Sequence, residues 1–146
     1  MTANLHGSIL NHDEYTLDEV SNISVSSTSF TDVDGTHLAL QLTIDGRAVT
    51  GQALVSWHGN VAVPAGQKSY WNLNVNGTLN AANDGIMFTP EGTLGVSFTR
   101  LVTGLPVGEV STITLQAKVT AGTMTVYSGA GTSGLDTHGQ FWGLVL

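Results

Sequence analysis

The chain has no cysteine among its 146 residues, so neither a disulfide nor a thiolate metal ligand contributes to its fold or chemistry. It is also poor in charge: Asp, Glu, Lys and Arg make up 10% of it, and only four residues are basic. These four, Arg47, Lys68, Arg100 and Lys118, are scattered singly, and the formal net charge is −7. Nucleic acid is therefore not expected as a partner, because phosphate binding needs clustered basic side chains. An acidic surface gives no attraction to anionic lipid either, and no apolar run approaches the roughly 18 residues of a membrane span. The opening MTANLHGSIL has no basic segment followed by an apolar stretch of about 7–15 residues. No secretory signal is read there, and synthesis in a cytoplasm is expected. Helical grammar is missing as well: no segment joins caps to a sustained 3.6-residue apolar period.

What the chain has instead is alternation with period two. Leu38, Leu40, Leu42 and Ile44 alternate with Ala39, Gln41 and Thr43. The same parity joins Leu94, Val96 and Phe98, and again Ile113, Leu115, Ala117 and Val119. Val49, Ala53, Val55 and Trp57 form another such face, and Trp71, Leu73 and Val75 one more. Each run presents one apolar side, as strands packed sheet on sheet require. Turn signals separate the runs: Asp32-Val33-Asp34-Gly35, Asp45-Gly46, Asn76-Gly77 and Asp84-Gly85. Ile86 and Phe88 follow the last of these, and Gly51 marks a bulge or a close approach of backbone. Later punctuation comes from Gly104, Pro106, Gly108 and Gly122, then Gly129, Gly131 and Gly134. The expected fold is all-β: an antiparallel β-sandwich of jelly-roll type with eight to nine strands over residues 23–146. A single domain of this length buries about two-thirds of its unfolded surface without staples.

Two segments stand apart. Residues 1–22 carry the acidic cluster Asp13, Glu14, Asp18 and Glu19 and hold no regular period. They are read as an N-terminal arm, either a solvated terminus or a segment docking Leu5, Ile9, Leu10 and Tyr15 on a neighbouring subunit. The closing strand is apolar on both sides, with Phe141, Gly143 and Val145 on one face and Trp142, Leu144 and Leu146 on the other. A strand of that kind needs cover on both faces. Either loops supply it, or Trp142, Leu144 and Leu146 meet another subunit, which also explains how so uncharged a chain covers its apolar area.

Chemical motifs are weak. Asp32-x-Asp34-Gly35 begins like a calcium loop, but the further oxygen ligands and closing Glu of an EF-hand are missing, so a turn is expected. Gly129-x-Gly131-x-x-Gly134 matches a dinucleotide fingerprint without opening a helix, so it offers no pyrophosphate a helix N-terminus. No G-x-S-x-G elbow occurs, and His6, His12, His37, His58 and His138 never fall at metal-ligand spacing. Trp57-His58 and Trp71 are read as core residues or as a sugar-stacking platform. No catalytic, metal or cofactor-binding residue is assigned, and no cofactor is expected.

The run Ser29-Phe30-Thr31-Asp32-Val33-Asp34-Gly35-Thr36-His37-Leu38-Ala39-Leu40 resembles a recurrent phage-encoded pattern, S-F-x-D-V-D-G-T-x-L-x-L. Residues 96–105 (VSFTRLVTGL), residues 119–127 (VTAGTMTVY) and the closing Gln140-Phe141-Trp142 resemble it too. In this the chain is similar to jelly-roll virion surface proteins of tailed phages, namely head decoration (auxiliary) proteins and trimeric tail-associated sandwiches. The resemblance implies a non-enzymatic structural protein that binds a phage head as a homotrimer and stabilises it. Its partner would be the major capsid protein, its location the capsid surface after synthesis in the host cytoplasm. The alternative it implies is a tail-associated receptor- or carbohydrate-binding module.

Overall fold

Period-two alternation becomes two packed antiparallel sheets in the computed structural model, which describes residues 12–17, 21–44, 51–129 and 138–146. The first sheet contains β1 (His12–Thr16), β2 (Ile23–Val25), β5 (Ala53–Val63), β9 (Gly92–Val102), β11 (Met124–Val126) and β12 (Gln140–Val145). The second contains β3 (Thr31–Asp32), β4 (Ala39–Thr43), β6 (Ser69–Val75), β7 (Thr78–Leu79), β8 (Met87–Thr89) and β10 (Val110–Val119). Strand β5 is the axis of the first sheet. Along one edge it pairs with β9 without a break, from Ala53 opposite Val102 to Val63 opposite Gly92. Its other edge is shared by β12 and β11, with β1 beyond the former and β2 beyond the latter. Strand β10 plays the same part in the second sheet, between β6 on one side and β4 and β3 in turn on the other.

The described residues thus form twelve strands, more than the eight to nine expected. Long strands keep their period while their partners do not. β5 and β10 each meet two successive neighbours along one edge, and β2, β3, β7, β8 and β11 are only two or three residues long.

The core lies between the sheets and follows the inward parity. Leu38, Leu40, Leu42, Ile44, Val55, Trp57, Leu73, Ile113, Leu115 and Phe141 are all buried. Trp57 and Trp71 stack at 6.1 Å between ring centroids, 21° from parallel. Full burial of both indoles rules out the sugar-stacking platform: neither ring has a face open to a ligand. The Trp71 N–H donates to Ser69 Oγ at 3.1 Å, whereas the buried Trp57 N–H has no partner among the described residues. At Asn76-Gly77 both residues have positive φ, 50° and 88°, and Val75 pairs with Thr78, the geometry of a two-residue I′ hairpin. Gly51 is a close approach: the Leu105 N–H donates to Gly51 O at 2.9 Å, and a Cβ at Gly51 would strike the Leu105 carbonyl.

The domain boundary expected at 22/23 needs correction. Residues 12–17 belong to the sandwich: β1 pairs with β12 from His12 opposite Leu144 to Thr16 opposite Gln140, and Leu17 is fully buried. Asp13, Tyr15 and Leu17 take the inward parity, and the polar Asp13 hides that pattern in the sequence. Its carboxylate has a structural use, accepting the Gln41 N–H of β4 at 2.7 Å and so linking the rim of one sheet to the other. Residues 1–11, Asp18, Glu19, Asp45-Gly46, Gly131 and Gly134 lie outside the described residues.

Candidate functional site

With one parity in the core, cross-strand register decides what the opposite parity presents. On the outer face of the first sheet, Leu144 of β12, Leu54 of β5 and Leu101 of β9 stand in one row. Trp142, Ser56 and Thr99 form the next row, and Gln140, His58 and Ser97 the one after. Leu54, Trp142 and Leu144 are half-buried, while Leu101 is 45% and Leu146 50% exposed. One end of this face is therefore apolar and continuous across three strands. The other end is polar and concave: His58, Asn60, Ser97, His138 and Gln140 line a hollow of about 780 Å³.

Of the interface residues expected from sequence, Trp142, Leu144 and Leu146 come together here. Tyr15 does not: it packs against the core and stacks on His37 with centroids 5.1 Å apart. It is corrected from a docking residue to part of the seam between the sheets. Leu5, Ile9 and Leu10 lie outside the described residues.

The polar motifs resolve into turn and seam chemistry. Asp34 Oδ1 accepts the Thr36 and His37 N–H groups at 2.9 and 3.1 Å, and Oδ2 sits 2.9 Å from His37 Nδ1. Burial works to raise the Asp34 carboxyl, but the bonds from the His37 side chain and from the His37 and Thr36 backbone, with the His37 charge, hold it below its usual value. Asp32 is turned elsewhere, accepting from Gln116 Nε2 at 2.8 Å. The two carboxylates thus serve separate partners, as a turn and a strand pair require. Among the described residues no three His, Asp or Glu side chains gather as metal ligands. His58 and His138 share the hollow of the first sheet, and His138 Nδ1 lies 3.1 Å from Leu17 O.

A second constellation was not visible in the sequence. On the outer face of the second sheet Lys118 of β10 is opposite Tyr70 of β6, and Tyr70 is opposite Phe88 of β8. Phe30, next to β3, flanks Lys118 from the other side. Lys118 Nζ lies 4.8 Å from the Phe30 ring centre and 5.0 Å from that of Tyr70. Lys68 Nζ lies 5.9 Å from the Phe88 ring, and Phe88 is 58% exposed. Four distant segments supply these residues, so no local spacing marks them. The usable signal was parity: Lys118 and Tyr70 both occupy the polar phase of an alternating run.

No family model matches the sequence, and no curated protein matches it. Among solved structures, the Eiger TNF of S. frugiperda superposes with a TM-score of 0.51 at 13% identity, over 94% of this chain and 93% of that one. Dimeric latent PorU of Porphyromonas gingivalis matches with a TM-score of 0.41 at 9% identity, over 94% of this chain but 13% of that one. A pentameric capsid protein from metagenomic phage sequences matches with a TM-score of 0.27 at 18% identity, over 90% of this chain and 61% of that one. The similarity to the TNF structure spans both chains almost completely and is one of fold: this chain is an antiparallel sandwich of the jelly-roll kind.

Proposed function

We propose that this chain is a non-enzymatic structural protein of a virion surface, a decoration protein that binds the major capsid protein of a phage head as a trimer and stabilises the shell. The observation that carries the proposal is the apolar end of the first sheet's outer face, where Leu54, Leu101, Trp142, Leu144 and Leu146 adjoin. Four leucines beside one tryptophan offer a substrate little directional chemistry, and they suit a flat contact with protein. Burying one such side chain contributes about 1.5–3 kcal/mol, so a few of them hold a subunit contact together. The resemblance of residues 29–40, 96–105, 119–127 and 140–142 to phage virion surface proteins supports the setting. In this reading Leu5, Ile9 and Leu10 tether the subunit to its neighbours.

The test is decoration of bare capsids of the parent phage, measured by electron microscopy. Intact protein is expected to occupy the shell, and protein lacking residues 1–11 to occupy it sparsely. Because β1 begins at His12, that deletion leaves every described strand in place. Failure of the intact protein to decorate any shell contradicts the proposal.

A further inference from the structure

The row Phe30–Lys118–Tyr70–Phe88 is built more elaborately than a solvated sheet face requires. Two adjoining hollows, of about 330 and 260 Å³, lie over it, and Tyr70 and Asp84 line both. The first is within the size range of small-ligand sites, about 300 Å³ and upward. Its wall is held from beneath. Fully buried Asn72 donates from Nδ2 to Ala81 O at 2.8 Å, and its Oδ1 accepts the Ala81 and Leu73 N–H groups at 3.2 and 2.9 Å. The Ile86 N–H donates to Trp71 O at 2.8 Å. Between these two anchors the segment carrying Asn83, Asp84 and Gly85 is laid against β10. Gly85 has φ +78°, and a Cβ there would strike the Trp71 carbonyl oxygen and come within 2.8 Å of the Phe30 ring, so the glycine lets the segment close on β6 with the ring beside Lys118.

The side chains on this floor have a consistent chemistry. Tyr70 and Phe88 meet at 45° with centroids 6.3 Å apart, forming a corner rather than a parallel slot. Such a corner receives the C–H faces of a puckered ring and cannot clamp a flat base between two planes. Lys118 donates to Asp84 Oδ1 and to Asn83 O, both at 3.3 Å, and its side chain is 19% exposed. Asp84 is 72% exposed and offers acceptor oxygens for hydroxyl groups. Lys68 stands at the rim beside Phe88. Two ammonium groups against one carboxylate give the site a local charge of +1 on a chain whose net charge is −7.

From this we propose that the outer face of the second sheet binds a carboxylated sugar, of the uronic or sialic acid type. The C–H face of the sugar packs into the Tyr70–Phe88 corner, its carboxylate meets Lys68, and its hydroxyls donate to Asp84. The site is on the opposite sheet from the apolar row, so the proposal stands or falls separately from that of virion assembly.

The experiment is an NMR titration of the full chain with a galacturonate trimer and with sialyllactose. Controls are a galactose trimer, an oligoglutamate peptide and AMP. Binding of at least one carboxylated sugar is expected, with shifts centred on Tyr70, Phe88 and Lys118. Lys68→Gln and Phe88→Ala should each weaken it about tenfold, since a charge-assisted bond or an aromatic face is lost. Both replaced side chains are exposed, and the thermal midpoint reports that the fold is kept. Should Phe88→Ala not fold, Lys68→Gln alone decides. No binding by either carboxylated sugar overturns the proposal. So does equal binding of the galactose trimer, the oligoglutamate or AMP, or an undiminished affinity in Lys68→Gln.

Discussion

The two outer faces of this sandwich are made by the same device and come out chemically opposite. In each, register across three strands aligns outward side chains into a row. The first sheet aligns Leu144, Leu54 and Leu101, and the second aligns Lys118, Tyr70 and Phe88. Aliphatic side chains attract any apolar surface of matching shape and give it no preferred orientation. Rings with ammonium groups over their faces orient a partner through a quadrupole and a charge. The inward parity fixes the fold and leaves the outward parity free, so one jelly roll carries two unrelated surfaces.

Both faces rest on a shared core, and the largest effect should come from weakening it. Trp57→Ala deletes one of the two stacked indoles and is expected to cost about 3–5 kcal/mol, read by urea denaturation. Association and sugar binding should then be lost together, at the denaturant concentration or temperature where the weakened sandwich unfolds, because both faces rest on the one core. A variant that kept one behaviour while losing the other would show that the faces do not depend on a common core.

A smaller effect separates the faces. Lys118→Met removes the cation between Phe30 and Tyr70 and should lower stability by about 0.5–2 kcal/mol. The assembly state should not change, since the first sheet's face lies across the sandwich. Chemical denaturation and light scattering on one sample check both halves of this expectation.

The seam between the faces should respond to pH and to neither ligand. The Asp34 carboxyl is held below its usual value of 3.8, so its charged form is favoured in the folded chain. Folding stability from this group is present above the unfolded pKa and is lost as pH falls through the lower folded one. Asp34→Ala should cost about 1 kcal/mol near neutral pH, where the turn loses its acceptor. The gap to the parent protein should narrow below about pH 4, as the parent carboxyl protonates. Thermal midpoints of both proteins across that range measure it, and a constant gap would show that the charge on Asp34 contributes nothing.

Much of the interior was legible in the sequence. Leu38 to Ile44 and Ile113 to Val119 show their buried parity directly, and Asn76-Gly77 names its own turn. The outer faces were legible only in part. Trp142, Leu144 and Leu146 drew notice because an apolar strand with two apolar sides is conspicuous by itself. Leu54 and Leu101 did not, because each is ordinary within its strand and gains meaning only from the neighbour that register supplies. Phe88 was misleading for a related reason. It shares a parity with Ile86, yet the short β8 turns Met87 toward the core and leaves Phe88 outside. Strand β1 was missed because the inward Asp13 broke an alternation that its hydrogen bond to Gln41 makes harmless.

In the proposed assembly the first sheet's outer face is a contact between subunits and the second sheet's is not. Sedimentation equilibrium of the parent chain, of Leu101→Asp and of Phe88→Asp tests it most directly. Both replaced residues are exposed edge positions, at 45% and 58%, so both variants should keep the fold. A trimer is expected for the parent chain and for Phe88→Asp, and a monomer for Leu101→Asp, whose charge lies between apolar side chains in the contact. A parent chain that stays monomeric over a wide concentration range, or a Leu101→Asp variant that remains trimeric, would contradict it.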